Sequence, residues 1–174
     1  MTQLSDLEVP LYSQSFVALD LETTGLSPYR DEVIEVGAVR FQAGTVLDTY
    51  STLINPYRPL SEVVRRLTGI TNEEVRKAPP FAVVAGEIEA FIGDSSLVGH
   101  NVAFDTGFLA RKGIRLPTAA YDTWDLAFIL LPQSRSYALG PLAASLGIYH
   151  PRPHRALADA EVTQRLFTAL IDLA

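Results

Sequence analysis

The sequence contains no cysteine among its 174 residues, and no apolar run in it is long enough to cross a membrane. The first absence excludes a disulfide framework and a zinc site with thiolate ligands. The second absence predicts a chain without a membrane span. The first ten residues carry acids and lack the basic start and apolar centre of a signal peptide, so the expected location is cytoplasmic.

Positive charge is scarce as well. The chain has 14 Lys and Arg residues against 20 Asp and Glu residues, a formal net charge of −6. A protein that binds long nucleic-acid duplexes usually presents a basic surface, so this balance argues against tight duplex binding. It still allows work at a strand end, because bound divalent cations reverse the local sign of an acidic site.

The hydrophobic content of 48% predicts one domain over residues 1–174, with the motif-bearing core at about 14–172. Apolar runs rich in β-branched residues predict strands at 16–22, 32–41, 46–54, 97–100 and 119–122. The first three strands should form an antiparallel meander. Capping residues and apolar periodicity predict helices at 61–67, 71–78, 81–92, 101–112, 123–131, 139–146 and 155–173. Strands followed by alternating strands and helices indicate an α/β fold, with a mixed sheet flanked by helices.

Two carboxylates, Asp20 and Glu22, stand at the end of the first apolar strand, just before a Thr-Thr-Gly turn. Residues two apart on a strand point to the same face, so these side chains should lie together. Neighbouring buried carboxylates repel each other unless a cation lies between them. A simpler interpretation is a turn cap at Asp20 and a solvated Glu22.

Further acids follow in two later segments. Asn101 is a candidate helix cap that places Asp105 one turn into the helix on the same face, although an acid there is also favourable for the helix alone. Asp159 lies among small and apolar residues, which predicts that it packs inward. His154 precedes it on a proline-rich loop. His100 is assigned to packing or a hydrogen bond, and His150 to the surface.

A sheet edge can bring these acids together, and carboxylate oxygens without thiolates suit hard cations such as Mg²⁺ or Mn²⁺. Two such ions about 4 Å apart can hold the attacking and leaving oxygens of a phosphodiester. A histidine suits the remaining role, which is to deprotonate the attacking water.

The order of the three motifs, Asp20-x-Glu22, His100-Asn101-x-x-x-Asp105 and His154-x-x-x-x-Asp159, resembles the DEDDh branch of the DnaQ-like 3′–5′ exonucleases. That branch includes the proofreading epsilon subunit of bacterial DNA polymerase III, oligoribonuclease and ribonuclease T. The resemblance spans about 16–170. The sister branch has a tyrosine where this chain has His154, so it is disfavoured.

The resemblance implies a ribonuclease H-like fold and a site that holds two divalent metal ions. Asp20, Glu22 and Asp159 would bind one ion; Asp20, helped through water by Asp105, would bind the second; and His154 would be the general base. The implied contacts to the terminal nucleotide are Thr23, Gly25, Leu26, Asn101, Phe104 and the segment containing Thr68 and Ile70. Apolar wedges and stacking residues of this kind read no base sequence.

The function expected from these residues is metal-dependent hydrolysis from the 3′ end of single-stranded DNA, with release of nucleoside 5′-monophosphates. Three alternatives remain open: an exoribonuclease on short or 3′-overhanging RNA, a non-catalytic nucleic-acid-binding module, and a phosphatase of small esters. The epsilon subunit carries a C-terminal extension that tethers it to its polymerase, whereas this sequence stops at Ala174. A polymerase or repair partner is therefore left open, as are RNA trimming and nucleotide salvage. The residues of the motifs are closer to those of the proofreading group.

Overall fold

The computed structural model describes residues 13–117 and 119–174. The N-terminal segment that the sequence predicts to lack a signal peptide lies outside the described residues. Within those two ranges, no helix combines the length and the apolar character needed to cross a membrane.

The fold is built on a five-stranded sheet in the order β3-β2-β1-β4-β5. Its strands are β1 (Ser15–Thr23), β2 (Val33–Gln42), β3 (Thr45–Leu53), β4 (Ser96–Gly99) and β5 (Ala120–Asp122). The first three pair antiparallel, whereas β4 and β5 add in parallel on the other side of β1. The predicted meander and the mixed sheet are confirmed.

Seven helices surround this sheet in the described part of the chain: α1 (Glu62–Thr68), α2 (Asn72–Lys77), α3 (Phe81–Ile92), α4 (Val102–Arg111), α5 (Thr123–Leu130), α6 (Leu139–Ser145) and α7 (Ala156–Asp172). Local sequence explains several of their ends. Ser61 accepts a hydrogen bond from the Val64 N–H at the start of α1, and Thr71 forms a capping box with Glu74 at the start of α2. Gly69 ends α1 in the left-handed conformation, which glycine adopts without steric cost.

Strand β1 presents different side chains to the two faces of the sheet because alternate residues point in opposite directions. Val17, Leu19 and Leu21 belong to the core cluster that α3 covers. Phe16 and Ala18 belong to the opposite cluster, which includes Ala160 and Phe167 of α7. Asp20 and Glu22 continue this second series, so both carboxylates face the layer that contains α7.

Helix α7 starts very close to the sheet. A Cβ atom added to Gly37 of β2 would lie 2.1 Å from the backbone carbon of Ala156, so only glycine permits this approach. Gly37 is the partner of Asp20 in the β1–β2 ladder. The same contact therefore brings the first turn of α7 next to the acidic end of β1.

Candidate active site

The site begins at the end of β1, where Asp20 and Glu22 project from the face that α7 covers. Asp20 keeps partial exposure to solvent, whereas Glu22 is buried. Parallel pairing between β1 and β4 covers only Phe16 to Ala18. The last residues of β1 therefore extend beyond this pairing, and side chains of the neighbouring helices can reach them.

Asp105 of α4 occupies part of that free edge. Its carboxylate is buried, with 4% exposure, and its Oδ1 accepts a hydrogen bond of 3.0 Å from the backbone N–H of Leu21. Leu21 lies between Asp20 and Glu22 in the chain. The hydrogen bond therefore fixes the third acid beside the first two.

Asp122, the last residue of β5, holds the start of α4 in place. Its carboxylate accepts hydrogen bonds of 2.9 Å from the N–H groups of Asn101 and Val102. Asn101 stands at the cap position, as predicted, but its φ is +64° and no capping hydrogen bond from its side chain is found in the described part of the chain. The capping role expected of Asn101 is thus filled by Asp122, which leaves the exposed Asn101 side chain available.

Asp159 lies in the first turn of α7 and is buried, as its apolar surroundings predict. Its Oδ2 accepts a hydrogen bond of 3.0 Å from the backbone N–H of His154. This contact ties the loop before α7 to the acid within the helix. Gly37 makes the position possible, because α7 could not approach β2 so closely over a larger residue.

His154 itself is exposed and adopts a positive φ of 63°, an uncommon conformation for a residue other than glycine. Glu22, His154 and Asp159 each offer one ligand atom, and these atoms lie within 4.8 Å of one another. The predicted histidine is thus placed against two of the predicted acids, in a group whose donor atoms could hold a metal ion.

The carboxylates repel one another strongly. Burial, followed by repulsion from Asp105, Asp159 and Glu22, raises the pKa of Asp20 well above its usual value. Burial also raises the pKa of Glu22 to about 8, with a further contribution from Asp159. The pKa values of Asp105 and Asp159 are raised too, mainly by burial. A cluster of ionised acids in such surroundings requires a compensating cation.

The sequence profile of the family described as Exonuclease (RNase_T) matches residues 17–167. The chain belongs to this exonuclease family. The matched range contains Asp20, Glu22, Asp105, His154 and Asp159, and it extends from β1 into α7. The resemblance to the DnaQ-like 3′–5′ exonucleases is confirmed, and the domain is an exonuclease of that DEDDh type. Enzymes of this family generally use divalent metal ions.

Two curated relatives show the extent of the likeness. A PolC-type DNA polymerase III from Oceanobacillus iheyensis is 39% identical over 166 residues, which cover 92% of this chain and 12% of that protein. The 3′–5′ exonuclease DinG from Bacillus subtilis is 37% identical over 165 residues, which cover 91% of this chain and 18% of that protein. The chain therefore spans less than a fifth of the length of either relative.

Solved structures share the architecture. Exonuclease X in complex with 5′ overhanging duplex DNA has a TM-score of 0.75 at 26% identity, and the match covers 90% of this chain and 91% of that chain. The nuclease domain of 3′hExo, a DEDDh family member bound to rAMP, has a TM-score of 0.80 at 21% identity, with 94% of each chain covered. At that identity the second match bears on the fold alone. The ribonuclease H-like sheet expected from the sequence is confirmed.

The turn after β1 places three of the predicted nucleotide contacts at the rim of the site. Leu26 is 84% exposed, so its apolar side chain is free to contact a ligand. The Thr23 hydroxyl donates a hydrogen bond of 2.6 Å to the carbonyl of Gly25. A Cβ atom on Gly25 would lie 2.5 Å from the Asp31 carboxylate, so a larger residue there would displace that side chain.

Two other predicted contacts lie away from the surface. Thr68 and Ile70 are buried, and Ile70 packs in the cluster that includes Ile34 and Val75. The Thr68 hydroxyl donates to the Val64 carbonyl and accepts from the Ile70 N–H. Their side chains pack at the end of α1, and their place beside the terminal nucleotide stays a prediction.

Phe104 is half-buried on α4, directly before Asp105, and its ring centroid lies 5.0 Å from that of Phe108. Its partial exposure is compatible with the predicted pocket wall, and that role stays a prediction. His100 follows its expectation as well, because its Nδ1 lies 2.9 Å from the Thr123 hydroxyl in a hydrogen bond.

The expectation for His150 is wrong. Its side chain is only 10% exposed, and its Nε2 lies 2.5 Å from Oδ1 of Asp159, although the two atoms do not meet the geometry of a hydrogen bond. A solvated position had been expected because a lone loop histidine is usually at the surface. The spacing of His150, four residues before His154 on a stiff proline-rich segment, was the available signal.

Sequence reasoning also missed a buried ion pair beside the site. Arg155 and Glu35 form a bidentate contact, with Arg155 Nη2 2.7 Å from Glu35 Oε1 and Nε 3.1 Å from Oε2. Glu35 also accepts a hydrogen bond of 3.0 Å from the N–H of Ala156. The pair fastens the start of α7 to β2. Glu35 stands among apolar residues at the start of β2, which was a signal of a buried acid in need of a cation but not of which residue supplies it.

Proposed function

We propose that this chain is a 3′–5′ exonuclease that uses two divalent metal ions to hydrolyse single-stranded DNA from its 3′ end, releasing nucleoside 5′-monophosphates. The observation that carries this proposal is the convergence of four acids from β1, α4 and α7 with His154 at one edge of the sheet. The family establishes an exonuclease on nucleic acid; the metal count, the base and the choice of DNA are the proposed part.

The donor set fits hard divalent cations. Asp20, Glu22, Asp105 and Asp159 offer carboxylate oxygens, which Mg²⁺ and Mn²⁺ prefer. The raised pKa of each acid indicates that the protein supplies too little positive charge to keep all of them ionised. When bound, the metal ions would supply Lewis acidity and orient the attacking and leaving oxygens of the phosphodiester.

Asp20, Glu22 and Asp159 would hold one ion directly, and Asp20 would hold the other with Asp105 acting through water. The hydrogen bond from Leu21 occupies Oδ1 of Asp105, which leaves its second oxygen for this contact. A buried acid whose partner is already fixed by the backbone suits an outer position, since it can orient a ligand water without moving.

His154 would accept the proton of the attacking water. The grouping of its ring nitrogen with donor atoms of Glu22 and Asp159 supports this role. Its backbone N–H is held by Asp159, whereas the side chain is exposed. The loop is therefore tied to the site at the main chain while the imidazole keeps access to solvent, as a residue that accepts and then releases a proton requires.

The 3′-terminal nucleotide would lie between the Thr23–Leu26 turn and the start of α4. Leu26 would wedge against its base, Phe104 would line the pocket, and Thr23, Gly25 and Asn101 would offer polar contacts to its sugar and phosphate. Apolar contacts to the face of a base are independent of its identity, so cutting should tolerate any sequence.

The relatives favour DNA over RNA as the substrate. Exonuclease X, at 26% identity, is known in complex with 5′ overhanging duplex DNA, and the PolC-type relatives are DNA polymerases. The net charge of −6 agrees with a substrate held at its end, because extended duplex binding requires many basic contacts.

The test uses matched DNA and RNA oligonucleotides labelled at the 5′ end, in single-stranded and duplex form, with Mg²⁺ or Mn²⁺. We expect a ladder that shortens from the 3′ end of single-stranded DNA and that disappears with chelator or with Asp20→Ala. Faster shortening of RNA would overturn the choice of DNA. Cutting that survives the loss of Asp20 would overturn the metal mechanism.

His154→Ala tests the base separately. We expect a large fall in turnover while calorimetric titration still detects Mn²⁺ binding, because the carboxylates remain. Leu26→Ala should raise KM and leave metal binding unchanged. A variant at His154 with unchanged turnover would remove that residue from its proposed role.

A further inference from the structure

Three aromatic side chains form a surface cluster at the same edge of the sheet as the acids. Trp124 and Phe128, on one face of α5, have ring centroids 5.5 Å apart and nearly parallel planes at 4°. The ring of Tyr137 lies 5.6 Å from each of them. We refer to Trp124, Phe128 and Tyr137 as the aromatic platform.

The rings of the platform pack against one another, and they remain partly exposed to solvent. Trp124 is 40% exposed and Phe128 is 55% exposed, although large aromatic side chains are normally well covered. Tyr137 is half-buried, and its hydroxyl donates a hydrogen bond of 2.9 Å to the Leu131 carbonyl. Rings that pack against one another and still keep this much exposure indicate a contact surface more than a core.

The platform is joined to the proposed substrate site by one carboxylate. Oδ1 of Asp122 accepts hydrogen bonds of 2.9 Å from the N–H groups of both Asn101 and Trp124. Asn101 starts the helix that carries Asp105, and Trp124 starts the exposed aromatic face of α5. Since β1, β4 and β5 are neighbours, the two strand ends that bear the acids and the platform lie about 10 Å apart.

We infer that the platform stacks a base of the single-stranded substrate upstream of its 3′-terminal nucleotide. Aromatic rings stack on every base, so such a contact adds affinity without selecting a sequence. Arg135 is exposed on the loop that leads to Tyr137 and offers a positive charge for the phosphates of the same strand. The inference rests on the proposed function, and it extends the site from one nucleotide to a short strand.

The chain contains a single tryptophan, so fluorescence reports directly on the platform. The probe is dT8 with phosphorothioate linkages at its 3′ end, added with Mg²⁺ so that it binds without being consumed. We expect dT8 to quench the emission of Trp124, and thymidine 5′-monophosphate, which fills only the terminal position, to leave it unchanged. Binding of labelled dT8, detected by anisotropy, without any change in emission would overturn the inference.

Kinetics supply a second test. Phe128→Ala should raise KM for unmodified dT8 about tenfold, while KM for the thymidine dinucleotide dT2 and kcat for both substrates stay close to the wild-type values. Ile129→Ala is the matched control, because Ile129 is the next residue on α5 and is 71% exposed but lies outside the platform. Equal KM values for Phe128→Ala and Ile129→Ala on dT8 would overturn the inference that the platform stacks a base. The exposed aromatic surface would then be assigned to contact with a protein partner.

The two proposals fail in different ways. Wild-type protein that is quenched by dT8 but shortens no oligonucleotide would overturn the proposed exonuclease specificity and keep the platform as a strand-binding surface. Wild-type protein that shortens unmodified dT8, but whose emission does not change when the protected dT8 binds, would overturn the platform and keep the proposed exonuclease.

Discussion

Glu22 on β1 and Glu35 on β2 are direct partners across the sheet, and both carboxylates are buried. Glu35 forms a bidentate ion pair with the guanidinium of Arg155 and accepts a hydrogen bond from the backbone N–H of Ala156. For Glu22, no ion pair is found among residues 13–117 and 119–174. Burial and repulsion from Asp159 and Glu35 raise the pKa of Glu22, and the charge of Arg155, which is paired with Glu35, acts in the opposite direction.

The difference separates two uses of the same side chain. A buried carboxylate with its own cation fixes the architecture, here the position of α7 on β2. A buried carboxylate without one raises the free energy of the folded protein until a cation arrives from solution. Glu35 thus has a structural role and Glu22 a functional one, although the two are adjacent on the same face of the sheet. Substitution of Glu35 should mainly lower stability, whereas substitution of Glu22 should mainly lower activity.

The largest expected effect is on turnover. Glu22→Gln removes a charge that the proposed metal site requires, so single-turnover hydrolysis of single-stranded DNA in Mg²⁺ should fall about a thousandfold. The fold should persist, because glutamine occupies nearly the same volume and relieves the repulsion from Asp159. Activity within a factor of three of wild type would mean that Glu22 is not a metal ligand.

The pH dependence of stability without metal should follow the acids of the site. Burial raises the pKa of Glu22 from 4.5 to about 8, so the folded protein holds a proton there that the unfolded chain has already lost. The folded state then binds more protons, and the free energy of unfolding decreases as pH rises. The stabilisation is fully present below pH 4.5 and is lost by pH 8, a change of up to roughly 4 kcal/mol.

Urea unfolding in EDTA between pH 5 and pH 8 measures this decline, and saturating Mg²⁺ should reverse it at the upper end because the metal binds the ionised acids. Glu22→Gln is the control variant: its decline should be shallower than that of the wild type. A wild-type protein that becomes more stable from pH 5 to pH 8 in EDTA would contradict the prediction.

Substitution of Glu35, the partner of Glu22 across the sheet, should instead lower the stability of the protein. Glu35→Gln leaves Arg155 beside a neutral group and weakens the fastening of α7, which should lower the free energy of unfolding by about 3 kcal/mol. Urea unfolding at pH 7 in EDTA measures the loss, with Glu22→Gln compared under the same conditions. The contrast between Glu22 and Glu35 would be contradicted if both substitutions shift the urea unfolding midpoint in the same direction.

Much of the fold and of the acid cluster could be predicted from the sequence. The strands and helices follow from apolar periodicity and caps, as at Ser61 and Thr71, because those signals are local. Asp20, Glu22, Asp105, His154 and Asp159 were recognised from motif order, and the structure brings them to one region.

The missed features depend on contacts between distant segments. Glu35 and Arg155 are separated by 120 positions, and nothing local to either residue reveals the other. Asp122 replaces Asn101 as the cap of α4 only because β5 ends beside β4. His150 is buried because the loop before α7 folds over Asp159. Each of these outcomes is decided by how the elements pack, which a local pattern does not encode.

The smallest expected effect concerns a third carboxylate, Asp31, which has a cation but lies nearer the surface. Asp31 Oδ1 lies 3.1 Å from Arg58 Nη2, and a hydrogen bond from the Ser27 N–H together with the charge of Arg58 lowers the pKa of Asp31. Arg58 also donates to the hydroxyl of Thr24. Because Arg58 is 40% exposed, Arg58→Gln should cost less than about 1 kcal/mol in the free energy of unfolding.

The same substitution should act more on binding than on folding. Arg58 and Asp31 support the turn that carries Gly25 and Leu26, so its loss should raise KM for single-stranded DNA about threefold without changing kcat, in keeping with the small energy of an exposed pair. Arg66→Gln, on α1 and away from the turn, is the matched control. A loss above 2 kcal/mol at Arg58 would place Asp31 with Glu35 as a structural acid, and burial would then no longer distinguish the two kinds of ion pair.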